Sequence, residues 1–154
     1  MGDVKKSYEK LKKKYHLPRL ELLIKEFGVK LEKPELILRD IIEKIEENLI
    51  EMSEILESII FIKVGSKPSS LYEAKMLEKR EHAFELYKQL MSFIWKGKRV
   101  KISSEESMKA SFIKETYEEW NRLKTEFMKI CEVFERKWKE AKLRESPSTL
   151  AYHG

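Results

Sequence analysis

Seven apolar residues, Leu38, Ile42, Ile45, Leu49, Met52, Leu56 and Ile59, follow one another at spacings of 4, 3, 4, 3, 4 and 3. A strand cannot use that spacing, because its successive side chains alternate between two faces. An α-helix gathers it into one stripe, the seam along which packed helices meet. Ile41, Ile55 and Ile62 widen the stripe into a broad face. Pro34 suits the first turn, where its missing N–H is no loss. The spacing therefore predicts a helix over about 34–64, about 45 Å long at ~1.5 Å per residue, that must be covered on one side.

The rest of the chain carries the same period between sparse stops. Leu77, Phe84, Tyr87, Met91 and Ile94 predict a helix over about 70–96, with Ser70 and Glu73 as a capping box and Gly97 as its end. Gly65-Ser66-Lys67-Pro68 marks the loop before it. Ile113, Tyr117, Trp120, Phe127, Cys131, Phe134, Trp138 and Ala141 predict the longest helix, about 104–144, opening at Ser103-Ser104-Glu105-Glu106. Its seam breaks at Lys124, where Leu123 stands ready to fill the gap. Val4, Tyr8, Leu11 and Tyr15 line a short helix over about 3–16. Leu20, Leu23, Ile24 and Phe27 line another over 18–27, closed by Gly28. Only Arg99-Val100-Lys101-Ile102 has a strand-like alternation, and it is too short to build a sheet.

The 154 residues contain five Gly and four Pro, too few for the many turns of a sandwich or barrel. The fold class expected is all-α. One antiparallel bundle of three long helices, with short N-terminal helices, spans 1–154. Residues 1–16 read as a basic arm and 146–154 as a flexible tail. More than about 70% helix is expected, far above the usual third.

Charge is partitioned along the chain. Residues 1–33 carry ten basic and five acidic side chains, 34–64 carry three and eight, 65–103 carry nine and four, and 104–154 carry ten of each. An acidic helix thus lies between two basic segments, which predicts attraction among them inside the bundle. Abundant Lys and Glu beside one Gln and two Asn is a thermophile-like composition. One cysteine, Cys131, allows no internal disulfide and fits a reducing compartment. The first residues show no apolar signal-peptide core, and the longest apolar run, Ile59–Ile62, is far short of a membrane span. The expected location is the cytoplasm.

Motifs of catalysis are missing from the sequence. Glycines at 2, 28, 65, 97 and 154 cannot form a nucleotide-binding loop. There is no Cys pair for zinc, no Glu-x-x-His for a di-iron bundle and no G-x-S-x-G elbow. Three scattered histidines, His16, His82 and His153, suggest no catalytic site. His82 has Glu78 and Glu85 on its helix face and reads as a solvated side chain. Glu46, Glu47, Glu51, Glu54 and Glu57 read as the solvated face of the acidic helix. No enzyme activity, cofactor or metal is expected.

Two features stand out as contact surfaces. Trp95, Lys96, Lys98, Arg99 and Lys101 place an aromatic ring among four cations, and Lys10, Lys12, Lys13 and Lys14 lie between Tyr8 and Tyr15. Such clusters track phosphates and stack on bases. Phe134, Trp138 and Ala141 extend the seam of the last helix beyond its shorter neighbours. An uncovered stripe of that kind points to a second copy or another protein. The expected function is that of a non-enzymatic helical scaffold or accessory subunit acting through protein–protein contact. The alternative is a nucleic-acid-associated accessory protein using segments 5–14 and 96–101.

Overall fold

A computed structural model describes residues 2–61 and 71–140, residues 71–76 by their backbone alone. Helix makes up 89% of the described residues, and no strand occurs among them. Helix α1 (Gly2–Tyr15) and helix α2 (Leu20–Phe27) precede a single 3-10 turn at Pro34–Leu36. The long helices α3 (Ile37–Ile60), α4 (Leu71–Ile102) and α5 (Glu106–Glu140) follow and pack on one another. The expected all-α bundle is therefore what the chain forms.

The helical seam of α3 is buried along its whole length, from Leu38 to Ile59. Ile41 joins it, whereas Ile55 is exposed, because it turns past the edge of the face that α4 and α5 cover. Ile62 lies outside the described residues. Pro34 opens the 3-10 turn that leads into α3, as its fixed φ and missing N–H favour.

Helix α4 differs from the sequence expectation in two ways. It does not stop at Gly97 but runs on to Ile102, so Arg99–Ile102 is helical. Its buried face consists of Ala83, Leu86, Leu90, Ile94, Gly97 and Val100 rather than of the larger apolar residues. Of the expected seam only Ile94 is fully buried. Tyr87 and Met91 sit at its edge, and Phe84 is 44% exposed. The reason is close approach. A Cβ on Gly97 would stand 2.9 Å from Phe112 Cζ of α5 and 3.1 Å from Glu46 Oε1 of α3. The missing side chain lets three helices meet at one point. This gain outweighs the cost of glycine in a helix, about 1 kcal/mol relative to Ala. Ser70, the expected cap, lies outside the described residues.

Glu46 is the second departure. It was expected on a solvated face, yet it is 5% exposed. Its Oε2 accepts a hydrogen bond from Lys101 Nζ at 3.1 Å. Its other oxygen lies against Gly97 and takes no hydrogen bond among the described residues. The remaining carboxylates divide: Glu47, Glu51 and Glu54 face solvent, while Glu57 accepts the Tyr87 hydroxyl at 2.7 Å. The two α3–α4 bonds fix antiparallel order, since residue 46 meets 101 and residue 57 meets 87.

The N-terminal helices are docked rather than detached. Val4 and Tyr8 of α1, and Leu23 and Phe27 of α2, enter the core. His16 ends α1 in the left-handed conformation (φ 56°), and Leu17 N–H reaches back to the Lys12 carbonyl. The Tyr8 hydroxyl donates to the Pro18 carbonyl across this turn. Gly28 (φ 73°) ends α2, with its N–H on the Ile24 carbonyl, as its position in the sequence indicates. Ser103 opens α5, its hydroxyl accepting the Glu105 N–H at 3.0 Å. Leu123 fills the seam break at Lys124 and is fully buried.

Two substitutions test this packing. Leu49→Ala should cost about 2–5 kcal/mol, as for a fully buried leucine. Gly97→Ala should destabilise by about 1–3 kcal/mol despite its better helix propensity, because the added methyl overpacks the three-helix contact. Urea unfolding measures both, and a stabilised Gly97→Ala protein would contradict the close approach.

Candidate functional site

The cationic ridge is carried by the last two turns of α4, not by a loop. Trp95 projects outward and is 63% exposed, with Lys98 Nζ 5.9 Å from its ring centroid. Lys98 and Arg99 are exposed. Lys96 is bound to Glu115 of α5, and Lys101 holds the buried Glu46. Two of the four cations thus serve the bundle. Lys101 in particular neutralises a carboxylate inside the protein, and its removal would leave a buried charge unpaired. Of the two pairs only Lys101–Glu46 joins a basic segment to the acidic helix; the ion pairs of residues 1–33 with the long helices go to α5 instead.

The end of α5 remote from its first turn carries the second candidate. Trp138 is 82% exposed, and Phe134 is half-buried with Lys137 Nζ 5.8 Å from its ring centroid. Phe127 and Cys131 lie half-buried on the same helical stripe, beside the exposed Met128. Burial raises the Cys131 thiol above its ordinary pKa, so the neutral, unreactive form prevails. Ala141 lies outside the described residues. At 32 residues, α4 nearly equals the 35 residues of α5, so the overhang exists against the 24-residue α3 and not against α4.

The short helices cover only the other half of α5. Near its start, Glu106 accepts the Tyr15 hydroxyl at 2.7 Å and Lys14 Nζ at 3.4 Å. Further along, Glu26 of α2 accepts Trp120 Nε1 at 2.9 Å and Lys124 Nζ at 2.8 Å. The Phe27 and Trp120 rings pack 4.7 Å apart beside this clasp. The bonds from Lys124 and Trp120 hold the Glu26 carboxyl below its ordinary pKa. Asn48 of α3 completes the join by donating to the Phe27 carbonyl at 3.1 Å.

A third surface escaped the sequence reading. An open groove of about 610 Å³ runs between α1, α2 and the stretch after Gly28. Val4, Leu20, Ile24, Val29 and Leu31 form its apolar lining, and Lys5, Lys30 and Glu32 stand on it as well. Ile24 is 47% exposed. The signal was present in the pattern Leu20, Leu23, Ile24, Phe27, which is wider than one docking face of a two-turn helix. His82 is exposed beside Glu78, Glu85 and Phe84 in a shallow depression. Among the described residues no helix is long and apolar enough to cross a membrane.

No protein-family model matches the sequence, and neither a curated protein nor a solved structure resembles it significantly.

The Glu26 clasp generates a pH prediction. Its pKa is lower in the folded state, so the clasp stabilises the protein above the ordinary carboxylate range. That contribution is lost as pH falls through the lowered value. Glu26→Gln should therefore unfold at lower urea than the wild type near neutral pH, with the gap closing in acid. Urea midpoints across a pH series read this, and a gap that stays constant into acid would contradict it.

Proposed function

We propose that this protein is a non-enzymatic helical scaffold or accessory subunit. It works in the cytoplasm through protein–protein contact, and the Phe127–Trp138 stripe of α5 is its contact face. The observation that carries this reading is Trp138, 82% exposed on a stripe whose other aromatics are half-buried. Tryptophan is the residue type most often found as an energetic anchor of an interface. Phe127 and Phe134 pack in part against the core, so the bare apolar surface here is Trp138 and the neighbouring Met128. A second copy is the simplest cover, with another protein as the other arm.

The nucleic-acid reading keeps one supporting observation, the exposed Trp95 with Lys98 over its ring and Arg99 nearby. With Lys96 and Lys101 committed to Glu115 and Glu46, only two cations of that ridge remain for phosphates. Lys98→Ala with Arg99→Ala should then flatten a log–log salt slope by about two units at most.

Light scattering at micromolar concentration tests the contact reading. A mass near twice 18.5 kDa is expected for the self-associating form. Trp138→Ala with Phe134→Ala should return it to the single-chain mass while circular dichroism stays helical. A wild-type particle of 18.5 kDa throughout would contradict self-association, and salt-sensitive binding of an oligonucleotide would favour the second reading.

A further inference from the structure

We infer that the groove between α1 and α2 is a docking site for an acidic amphipathic helix of another protein. It is a second contact surface, separate from the α5 stripe. Shape is the first argument. The groove is concave, apolar and open, with Ile24 half-exposed inside it. Its volume of about 610 Å³ suits the large apolar anchors that a helix presents at i, i+3, i+4 and i+7.

Charge is the second argument, and it selects the occupant. Lys5 and Lys30 stand on the groove, and Lys6, Lys10, Lys13, Arg19, Lys25 and Lys33 are exposed on the same N-terminal segment. None of these eight forms an ion pair among the described residues. The acidic side chains of the segment do not offset them. Glu26 is spent on Lys124 and Trp120, and Glu9 on Lys12. Asp3, Glu21 and Glu32 alone remain on the surface unpaired. Only Glu26 is drawn in, and the segment keeps its excess of cations, ten basic against five acidic side chains. A field this wide calls for several negative charges, not the single carboxylate of a fatty acid. An apolar, concave lining calls for side-chain anchors. A membrane needs a protruding apolar surface, and a nucleic acid needs stacking or phosphate contacts rather than aliphatic walls. The α5 stripe of a second copy does not supply the complement, because residues 126–140 carry four acidic and four basic side chains.

The test uses the full chain and fluorescent synthetic peptides of about 15 residues, long enough to hold a helix on binding. One peptide has leucines on a single helical face and glutamates elsewhere. A second replaces each glutamate by lysine, and a third replaces each leucine by serine. The glutamate–leucine peptide should bind, and should weaken as salt rises through the physiological range. Ile24→Glu should weaken it at least about tenfold, equivalent to ~1.4 kcal/mol. Lys5→Glu with Lys30→Glu, both exposed and harmless to the core, should weaken it as well. Trp138→Ala should leave it unchanged, which separates this site from the α5 stripe. Equal binding of the lysine or serine peptide would overturn the proposal. So would indifference to both groove variants, or binding confined to anionic vesicles or to an oligonucleotide.

Discussion

Everything in the bundle is arranged around a residue with no side chain. Gly97 lets the α4 backbone come against Phe112 and Glu46 at once. That contact places α3, α4 and α5 at one depth and fixes which turn of each helix faces which. Ala83 provides the same thinness four turns earlier on α4. Between these points Leu86, Leu90 and Ile94 fill the space, so bulk is supplied at the centre and withheld where helices converge. Close-packed interiors tolerate neither excess nor shortage of volume, and such a contact therefore specifies register strongly.

Electrostatics follow from the same geometry. Because α4 continues through Gly97, Lys101 comes one turn later onto the same side and reaches Glu46. A helix ending at Gly97 would have left that carboxylate buried without a cation. The short N-terminal helices repeat the logic at the edge of the bundle, where Glu26 is gathered in by Lys124 and Trp120. That one carboxylate is drawn in, while the exposed lysines of the same segment stay outside. The basic surface of residues 1–33 follows mainly from composition, ten basic side chains against five acidic, to which the covering of Glu26 adds.

The sequence revealed most where bulk and period agree. The α3 stripe, the Gly28 stop, the Ser103 start and the filling of the Lys124 break by Leu123 were all legible, because each depends on neighbours a turn away. Helix α4 was misread because an apolar count gives weight to Phe84 and none to Gly97, although the latter has the tighter contact. Glu46 was misread for a related reason. It lies four residues after Ile42 and three before Leu49, a position on the buried stripe, but its chemistry suggested solvent. Lys101, 55 residues away, makes it acceptable there, and no local pattern announces such a pairing. The groove was only half legible: the apolar face of α2 is wider than one docking contact, but no single helix outlines the groove. It arises where two short helices and an extended stretch fail to close.

The account rests on the claim that α4 approaches its neighbours through Gly97, and a double-mutant cycle with Phe112→Leu tests that most directly. Leucine lacks the Cζ atom that a methyl at position 97 would meet. The cost of Gly97→Ala should therefore shrink in the Phe112→Leu background, with a coupling within the ~0.5–3 kcal/mol range of residues in contact. Unfolding free energies of the four proteins give the result. Additive costs, with no coupling between positions 97 and 112, would contradict it.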